Sequence, residues 1–565
     1  MEATPAKGFR LTTRNLFRSL IPFERSADKW LTPKILTLTQ VVLIGLYVLL
    51  GFNSHFWLDE TISYWTTNGG IGEIAKRCTI WPHSILYSLL ILCLRSLGAT
   101  QPWLYRLPSF LGVIGATVIL FHLTRRLFTS PIAWLAVAIF ASLQPVQFAA
   151  GDARPYGLGL LAVVLSTELL LRLVDRPSYG LAASYGIVTG LMLHLHMLFG
   201  TMLAVHCLYL LGCFLAGRRL PVSQLTVSAI LVASSLALLA VQYRMALADA
   251  KAHSFMLRAS LDDLLGTFFP RPAALALLIV GVVLLLAGRI MTPWLAGQTL
   301  ERVLVVVWAL APPMALFAFS KVSAAQVFVP RYLLPYAPGF AMFLAVWISS
   351  LDPGRLVSRI LVVALIGLTL LPLRQFPRIH HAHLLGDWCD ALAFVDRETA
   401  IDHAPVLLRS QFPESDSMPL EPVTDNPLFA QLTFYPSKTP FFPLSRSYGD
   451  QATRLDEFLA TRLNSFDRFL FVFHGGPGSA EPFIYYLLGR LGPKWQMLVS
   501  GDFDGVTVTE FHLVAGGPKR DVSGTAPEVA PASMPTHYQR TSPVLASGFQ
   551  WVPFDLRDWR VTARN

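Results

Sequence analysis

The feature that most constrains this chain is a series of long stretches free of Asp, Glu, Lys and Arg. Residues 35–58, 107–124, 127–151, 177–217, 220–243, 272–288, 303–320 and 332–351 all have this character. A helix crosses a bilayer with about 20 mostly apolar residues. The 177–217 stretch is long enough for two such helices. Two further candidates are 156–174, interrupted by Glu168 and Arg172, and 357–373. Together they predict an α-helical polytopic membrane protein with about eleven spans.

Composition agrees. Hydrophobic residues make up 53% of the 565 residues and charged residues 14%, against about 25% charged in an average soluble domain. So few charges cannot cover the surface of several soluble domains. Five cysteines exclude a disulfide scaffold. The net charge of +10 sits largely in short connectors between apolar runs, which is an orientation signal and not a nucleic-acid footprint.

Lys7, Arg10, Arg14, Arg18, Arg25, Lys29 and Lys34 mark the N-terminal segment as cytoplasmic. Alternation then places Arg125–Arg126, Arg172 with Arg176, Arg218–Arg219, Arg289 with Arg302, and Arg355 with Arg359 inside. This closes if residues 83–97, short and containing Arg95, form a helix at the outer interface. Three outer segments remain: 53–105, 149–155 and 321–332.

Four regions follow. Residues 1–32 are a cytoplasmic segment, and 33–373 a transmembrane domain whose first outer loop is 53–105. Residues 374–514 form an outer α/β domain, with strands expected at Pro405–Leu408 and Phe469–Phe473 and helices at Leu455–Leu463 and Pro482–Leu491. Residues 515–565 are a Gly, Pro, Ser and Thr-rich tail. Gly475-Gly476-Pro477-Gly478 reads as a turn, because a phosphate loop would need a Lys or a Gly-x-Gly-x-x-Gly spacing. Cys78 and Cys389 would both face an oxidising compartment, where a disulfide between them is open to formation.

Asp59 and Glu60 follow the first apolar run and allow two readings. Acids suit the first turn of a helix. An acid at the membrane face can also be desolvated enough to take a proton from a hydroxyl. Beside them, Phe56 and Trp57 suit an interfacial anchor or a sugar platform. In Gly151-Asp152-Ala153-Arg154-Pro155-Tyr156, an acid and an Arg between two apolar helices are costly unless paired or used; they could form a salt bridge or meet a lipid phosphate or a metal. Arg331, with Tyr332, lies where a helix reaches the outer face. It either snorkels or forks two donors at a phosphate. His194 and His196 sit near a helix end, where lone histidines are usually structural. Glu168 and Arg172 read as an i,i+4 pair.

Several of these residues fall in segments that resemble a known family, the multipass, lipid-phosphate-sugar-dependent glycosyltransferases of the GT-C fold. The likeness is to the bacterial branch related to dolichyl-phosphate-mannose protein mannosyltransferases and to the aminoarabinose transferase of lipid A. The family's Asp-Glu with a Ser three residues on appears as Asp59, Glu60 and Ser63. Its His-Pro-Pro-Leu-Tyr segment appears as His83-Ser84-Ile85-Leu86-Tyr87, without the prolines. Arg106-Leu107-Pro108-Ser109-Phe110 and Arg125-Arg126-Leu127-Phe128 resemble its next helix. Asp152-Ala153-Arg154-Pro155-Tyr156 is similar to its acidic-x-Arg-x-Tyr turn. His196 falls near a membrane-helix His of the family, followed here by Met197. Arg331-Tyr332-Leu333-Leu334-Pro335 is similar to its Arg-Tyr segment. The resemblance covers about residues 35–345.

The resemblance implies a polyprenyl-phosphate-linked sugar donor and inversion in one displacement on a glycan, lipid or protein acceptor at the extracytoplasmic face of the plasma membrane. The chemistry of the residues supplies the roles: catalysis at Asp59, as general base, and Glu60, and donor-phosphate binding at Arg154, Tyr156 and Arg331. Substrate binding falls to Trp57, His83, His196 and Tyr332. Asp152 could help hold Mg²⁺ or Mn²⁺. The alternatives are a transporter or flippase, a glycan polymerase or ligase, and a membrane scaffold carrying an outer domain. A transporter calls for ionisable groups at mid-membrane depth and often for paired halves, whereas here the charges gather at the outer face.

Overall fold

The computed structural model describes residues 33–80, 83–248, 259–268, 299–323, 326–351, 386–410, 418–423, 426–445, 448–463, 466–475 and 477–514. The expected spans at 272–288 and 357–373, the N-terminal segment 1–32 and the tail 515–565 lie outside them.

The apolar runs become helices α1 (Pro33–Leu50), α2 (Leu58–Thr66), α3 (Ile71–Ile80), α4 (Ile85–Ser96), α5 (Pro102–Leu127), α6 (Ser130–Ser142) and α7 (Gln144–Gly151). There follow α8 (Tyr156–Asp175), α9 (Tyr179–Leu195), α10 (Thr201–Leu215), α11 (Val222–Ala248), α12 (Leu261–Phe268), α13 (Thr299–Val322) and α14 (Ala337–Leu351). Among the described residues five helices are long and apolar enough to cross a membrane, or up to seven if each of two bent pairs is one span. One bent pair joins α1 to α2 through a 68° turn, and the other joins α6 to α7 through 67°. The first bend lies just before Asp59, and the second lies at Leu143, one short helix before Asp152.

Small residues set the central helix crossing. A Cβ on Gly157 would lie 2.1 Å from the Ser109 carbonyl oxygen, and one on Gly112 would lie 2.6 Å from the Gly157 backbone. Only glycine lets α5 and α8 approach this closely, as in other membrane helix pairs. The contact fixes Arg106 of α5 beside the turn 152–155. Ser109 Oγ donates to the Arg154 carbonyl oxygen at 2.5 Å and ties the same turn down again. At the other end Glu168 pairs with Arg172 on its own helix (2.6 Å) and also with Arg126 of α5 (3.0 Å).

The C-terminal part is a five-stranded mixed sheet with helices α15 (Trp388–Thr399), α16 (Tyr448–Thr461) and α17 (Pro477–Leu491). Its strands are β1 (Val406–Arg409), β2 (Phe441–Leu444), β3 (Arg468–His474), β4 (Trp495–Phe503) and β5 (Val506–Leu513), in the order β2-β1-β3-β5-β4. β1 pairs parallel with β2 and β3, and β5 antiparallel with β3 and β4. Where a turn was expected, Gly475 carries the chain from β3 towards α17 at φ 99°, a conformation that favours glycine. Cys78 and Cys389 are both free thiols. Cys78 is buried against Ser88.

The sheet does not form a self-contained unit. Leu58, Ile62 and Trp65 of α2 share one buried cluster with Trp388, Leu392, Val406, Phe429 and Val508. Their i, i+4, i+7 spacing puts them on one face of α2. Phe56 stacks on Phe434 at 4.5 Å, and its backbone N–H donates to the Tyr435 hydroxyl at 2.6 Å. The C-terminal domain therefore grips the segment that carries Asp59 and Glu60.

Candidate active site

The short helix α2 places its two acids on different sides. Glu60 points inward and is fully buried. Arg106, equally buried, meets it with two parallel bonds: Nε to Oε1 at 2.7 Å and Nη2 to Oε2 at 2.6 Å. Oε1 also accepts from the Ala153 N–H at 2.8 Å, and Oε2 from the Trp57 N–H at 3.3 Å. The remaining Arg106 donors reach the carbonyl oxygens of Phe52 and Ser54, both at 2.8 Å, and of His55 at 3.1 Å. One ion pair thus organises residues 51–57 and the turn at 152–155. Both Glu60 oxygens are occupied, each by one Arg106 donor and one backbone N–H.

Asp59 lies at the other side of the helix start, about one-seventh exposed. Its Oδ2 accepts from Arg331 Nη1 at 2.7 Å. Arg154 Nη1 reaches the Asp59 carbonyl oxygen at 3.2 Å and Ser63 Oγ at 3.4 Å. Segments 53–105, 149–155 and 321–332 therefore meet at one point, although Asp59 and Arg331 are 272 residues apart. The Arg331 guanidinium lies 5.4 Å from the Tyr332 ring. His196 bridges Tyr156 and Tyr332, with ring centres 5.5 and 5.0 Å away.

Both histidines of the cluster stay neutral. Burial, then the positive charge of Arg154, holds His83 well below the usual histidine range. Burial, then Arg154 and Arg331, pushes His196 down to about 3. Neutral imidazoles beside two guanidinium groups leave the local charge positive, which suits an anion.

Trp57 is buried against Phe148, 6.0 Å between ring centres, and its indole N–H donates to Asp152 Oδ1 at 3.1 Å. It wedges between the two outer segments, so a sugar platform is not its position here. Asp152 is 1% exposed, and its Oδ2 is buried without a hydrogen-bond partner among the described residues. Burial, then the neighbouring Glu60 carboxylate, lifts its carboxyl well above the usual range. Mg²⁺ and Mn²⁺ favour an octahedron of oxygens. Asp152 Oδ2 offers such a shell one buried, unpartnered oxygen, and Mg²⁺ sites commonly take only one or two carboxylates with water and phosphate completing them.

Two residues escaped functional notice in the sequence. Arg106 was visible as part of a motif, and a lone Arg at the start of an apolar helix is itself a signal. His55 was not. Its Nδ1 lies 2.8 Å from Asp387 Oδ1 of the C-terminal domain, and this carboxylate, then Cys389, pushes the imidazole up to about 10. Its partner lies 332 residues away, which no local pattern reveals.

No protein-family model matches the sequence, and no curated protein matches it. Among solved structures the chain is similar to the crystal structure of ArnT from Cupriavidus metallidurans bound to undecaprenyl phosphate. The identity is 13% and the TM-score 0.48, over 87% of this chain and 100% of that one. It is also similar to ArnT from Cupriavidus metallidurans in the apo state, at 14% identity and TM-score 0.46, over 84% of this chain and 97% of that one.

Proposed function

We propose that this protein is a membrane glycosyltransferase that moves a sugar from a polyprenyl-phosphate donor to an acceptor hydroxyl at the extracytoplasmic face of the plasma membrane. The observation that carries the reading is the meeting of one partly exposed carboxylate, Asp59, with Arg154 and Arg331 at the ends of apolar helices. A transfer of this kind needs one base and one anion site, and these three residues supply both.

In this reading Asp59 takes the proton from the acceptor hydroxyl. The acceptor oxygen attacks the anomeric carbon from the face opposite the phosphate, and the bond from that carbon to the phosphate oxygen breaks with inversion. Arg154 and Arg331 stabilise the negative charge gathering on the leaving polyprenyl phosphate. Phosphate leaves without protonation, so one acid–base group suffices. Arg331 has two tasks: with the site empty it holds Asp59, and the donor phosphate competes for its fork. Its transfer to the phosphate frees the Asp59 oxygen for the incoming proton. Tyr156, His196 and Tyr332 form the aromatic wall beside Arg331, and His83 is a neutral group under the influence of the same two guanidinium groups. Glu60 and Arg106 position the loop and take no part in proton transfer.

The test is purified protein in lipid, supplied with a panel of radiolabelled polyprenyl-phosphate sugars and candidate acceptors. Consumption of one donor, with the product's anomeric configuration opposite to the donor's and abolished by Asp59→Asn, supports the reading. Retention of configuration, or full turnover in Asp59→Asn, overturns it.

A further inference from the structure

We propose that His55, Cys389 and Asp390 form a binding site for one divalent transition-metal ion, zinc by the chemistry of its donors, which clips the loop before Asp59 to the C-terminal domain.

An imidazole, a thiol and a carboxylate converge here from opposite ends of the chain. One ligand atom from each lies within 4.8 Å of the other two. Cys389 is half-buried and Asp390 exposed, so an ion can reach them from solvent. The edges of a tetrahedral zinc site with nitrogen, sulfur and oxygen ligands are about 3.3–3.6 Å. Side-chain rotations of about 1 Å therefore close the site around an ion. Among the described residues this is the one place where three such groups gather.

A second feature makes the cluster more than a chance meeting. His55 Nδ1 faces the carboxylate of Asp387, 2% exposed, at 2.8 Å. A carboxylate behind the imidazole is the usual outer partner of a metal-bound histidine, because it fixes the ring and leaves Nε2 for the ion. Asp387 is itself fixed: it caps α15 and accepts from the Asp390 N–H at 3.0 Å. The same cap therefore sets the first turn of α15, which carries Cys389 and Asp390.

The donor set identifies the ion. Thiolate and imidazole select zinc over magnesium or calcium, whose sites are built from oxygens. The ligating forms are a thiolate and an imidazole with a free ring nitrogen, so ion binding releases protons and tightens as pH rises. Three protein ligands leave a fourth position for water. The competing account is that His55 and Asp387 form a docking ion pair and nothing more, which requires neither Cys389 nor Asp390.

The experiment uses the full-length protein in detergent, stripped with a chelator and titrated with Co²⁺ and then Zn²⁺. The expected result is one ion per chain, with a thiolate-to-cobalt charge-transfer band that Zn²⁺ bleaches. Cys389→Ser should abolish the band, while Cys207→Ser, at an exposed thiol on α10, should leave it intact. Asp387→Asn keeps the helix cap, since Asn caps as well as Asp, and should weaken Zn²⁺ binding about 10- to 100-fold. Asp390→Asn, at an exposed position, tests the third ligand without risk to folding and should also weaken binding. Absence of the band in the unsubstituted chain overturns the proposal. So does a band that survives Cys389→Ser, or Zn²⁺ affinity unchanged in both Asp387→Asn and Asp390→Asn.

Discussion

The back and the front of α2 hold two ion pairs one residue apart, and they are built for different ends. Behind the helix, Glu60 and Arg106 are both 0% exposed and their bonds are many: two between them and others to backbone on either side. In front, Asp59 and Arg331 are 14% and 19% exposed and share a single contact. A buried pair held from every side cannot open without leaving a charge in low dielectric. A partly exposed pair with one bond can exchange partners. Adjacent acids of identical charge thus divide into a fixed anchor and a movable group through burial and bond count alone.

The sharpest way to break this comparison is to neutralise each acid. Asp59→Asn should insert and fold normally while turnover with the donor falls about 10²- to 10⁴-fold, the usual worth of a general base. Glu60→Gln should fail differently. Removing one partner of a buried pair costs about 3–5 kcal/mol, so yield and thermal stability in detergent should collapse before activity can be scored. If Glu60→Gln proves stable and inactive while Asp59→Asn keeps most of its turnover, the roles of front and back are reversed.

A less drastic change sharpens the front. Arg331→Lys keeps the charge and loses the fork. If the fork binds phosphate, donor saturation should weaken roughly 10- to 150-fold, the equivalent of about 1.5–3 kcal/mol for one charge-assisted bond. The loss should be the same with every acceptor. An unchanged donor KM would confine Arg331 to holding Asp59.

The crossing beneath both pairs can be tested by size. Gly157→Ala adds one methyl where the Ser109 carbonyl already sits within 2.1 Å. Overpacking of this kind costs about 1–3 kcal/mol. It should shift the turn at 152–155 and lower thermal stability, while Gly180→Ala, with open space around it, should be neutral.

How much of this was legible in the sequence depends on the range of each interaction. Asp59, Arg154 and Arg331 could be grouped because each sits at the end of an uncharged run, and the membrane forces such ends to one level. The difference between Asp59 and Glu60 could not be read, since it rests on Arg106, 46 residues away. Trp57 looked like an open aromatic surface, but its indole N–H is spent on Asp152. In the C-terminal domain β1 and β3 were visible as buried apolar runs. β2 was hidden by Pro443, which a strand tolerates at the sheet edge where β2 lies. β4, at the opposite edge, alternates too weakly in burial to announce itself. The docking of the sheet on α2 shows locally only as Leu58, Ile62 and Trp65 on one face, a pattern that does not name its partner.

The smallest expected effect lies in the C-terminal domain and completes the series from sealed to open pairs. Arg468 of β3 meets Asp402 at 2.8 Å, Glu510 at 3.4 Å and Glu398 at 3.8 Å, with its side chain 22% exposed and that of Asp402 41%. Its hydrogen bond to Asp402 holds that carboxyl below the usual range. A depressed carboxyl contributes stability above its unfolded value, near 3.8, and loses that contribution as pH falls through the lower folded value. Solvent and salt screen a pair this open, so Arg468→Gln should cost less than about 1 kcal/mol. Hydrogen exchange read by mass spectrometry on peptides from β3 and β5 should quicken by no more than about fivefold at neutral pH. The difference from the unsubstituted chain should shrink in high salt and shrink further once acid has protonated Asp402. A loss as large as that of Glu60→Gln would mean that exposure does not rank these pairs, and the contrast between the two sides of α2 would need another cause.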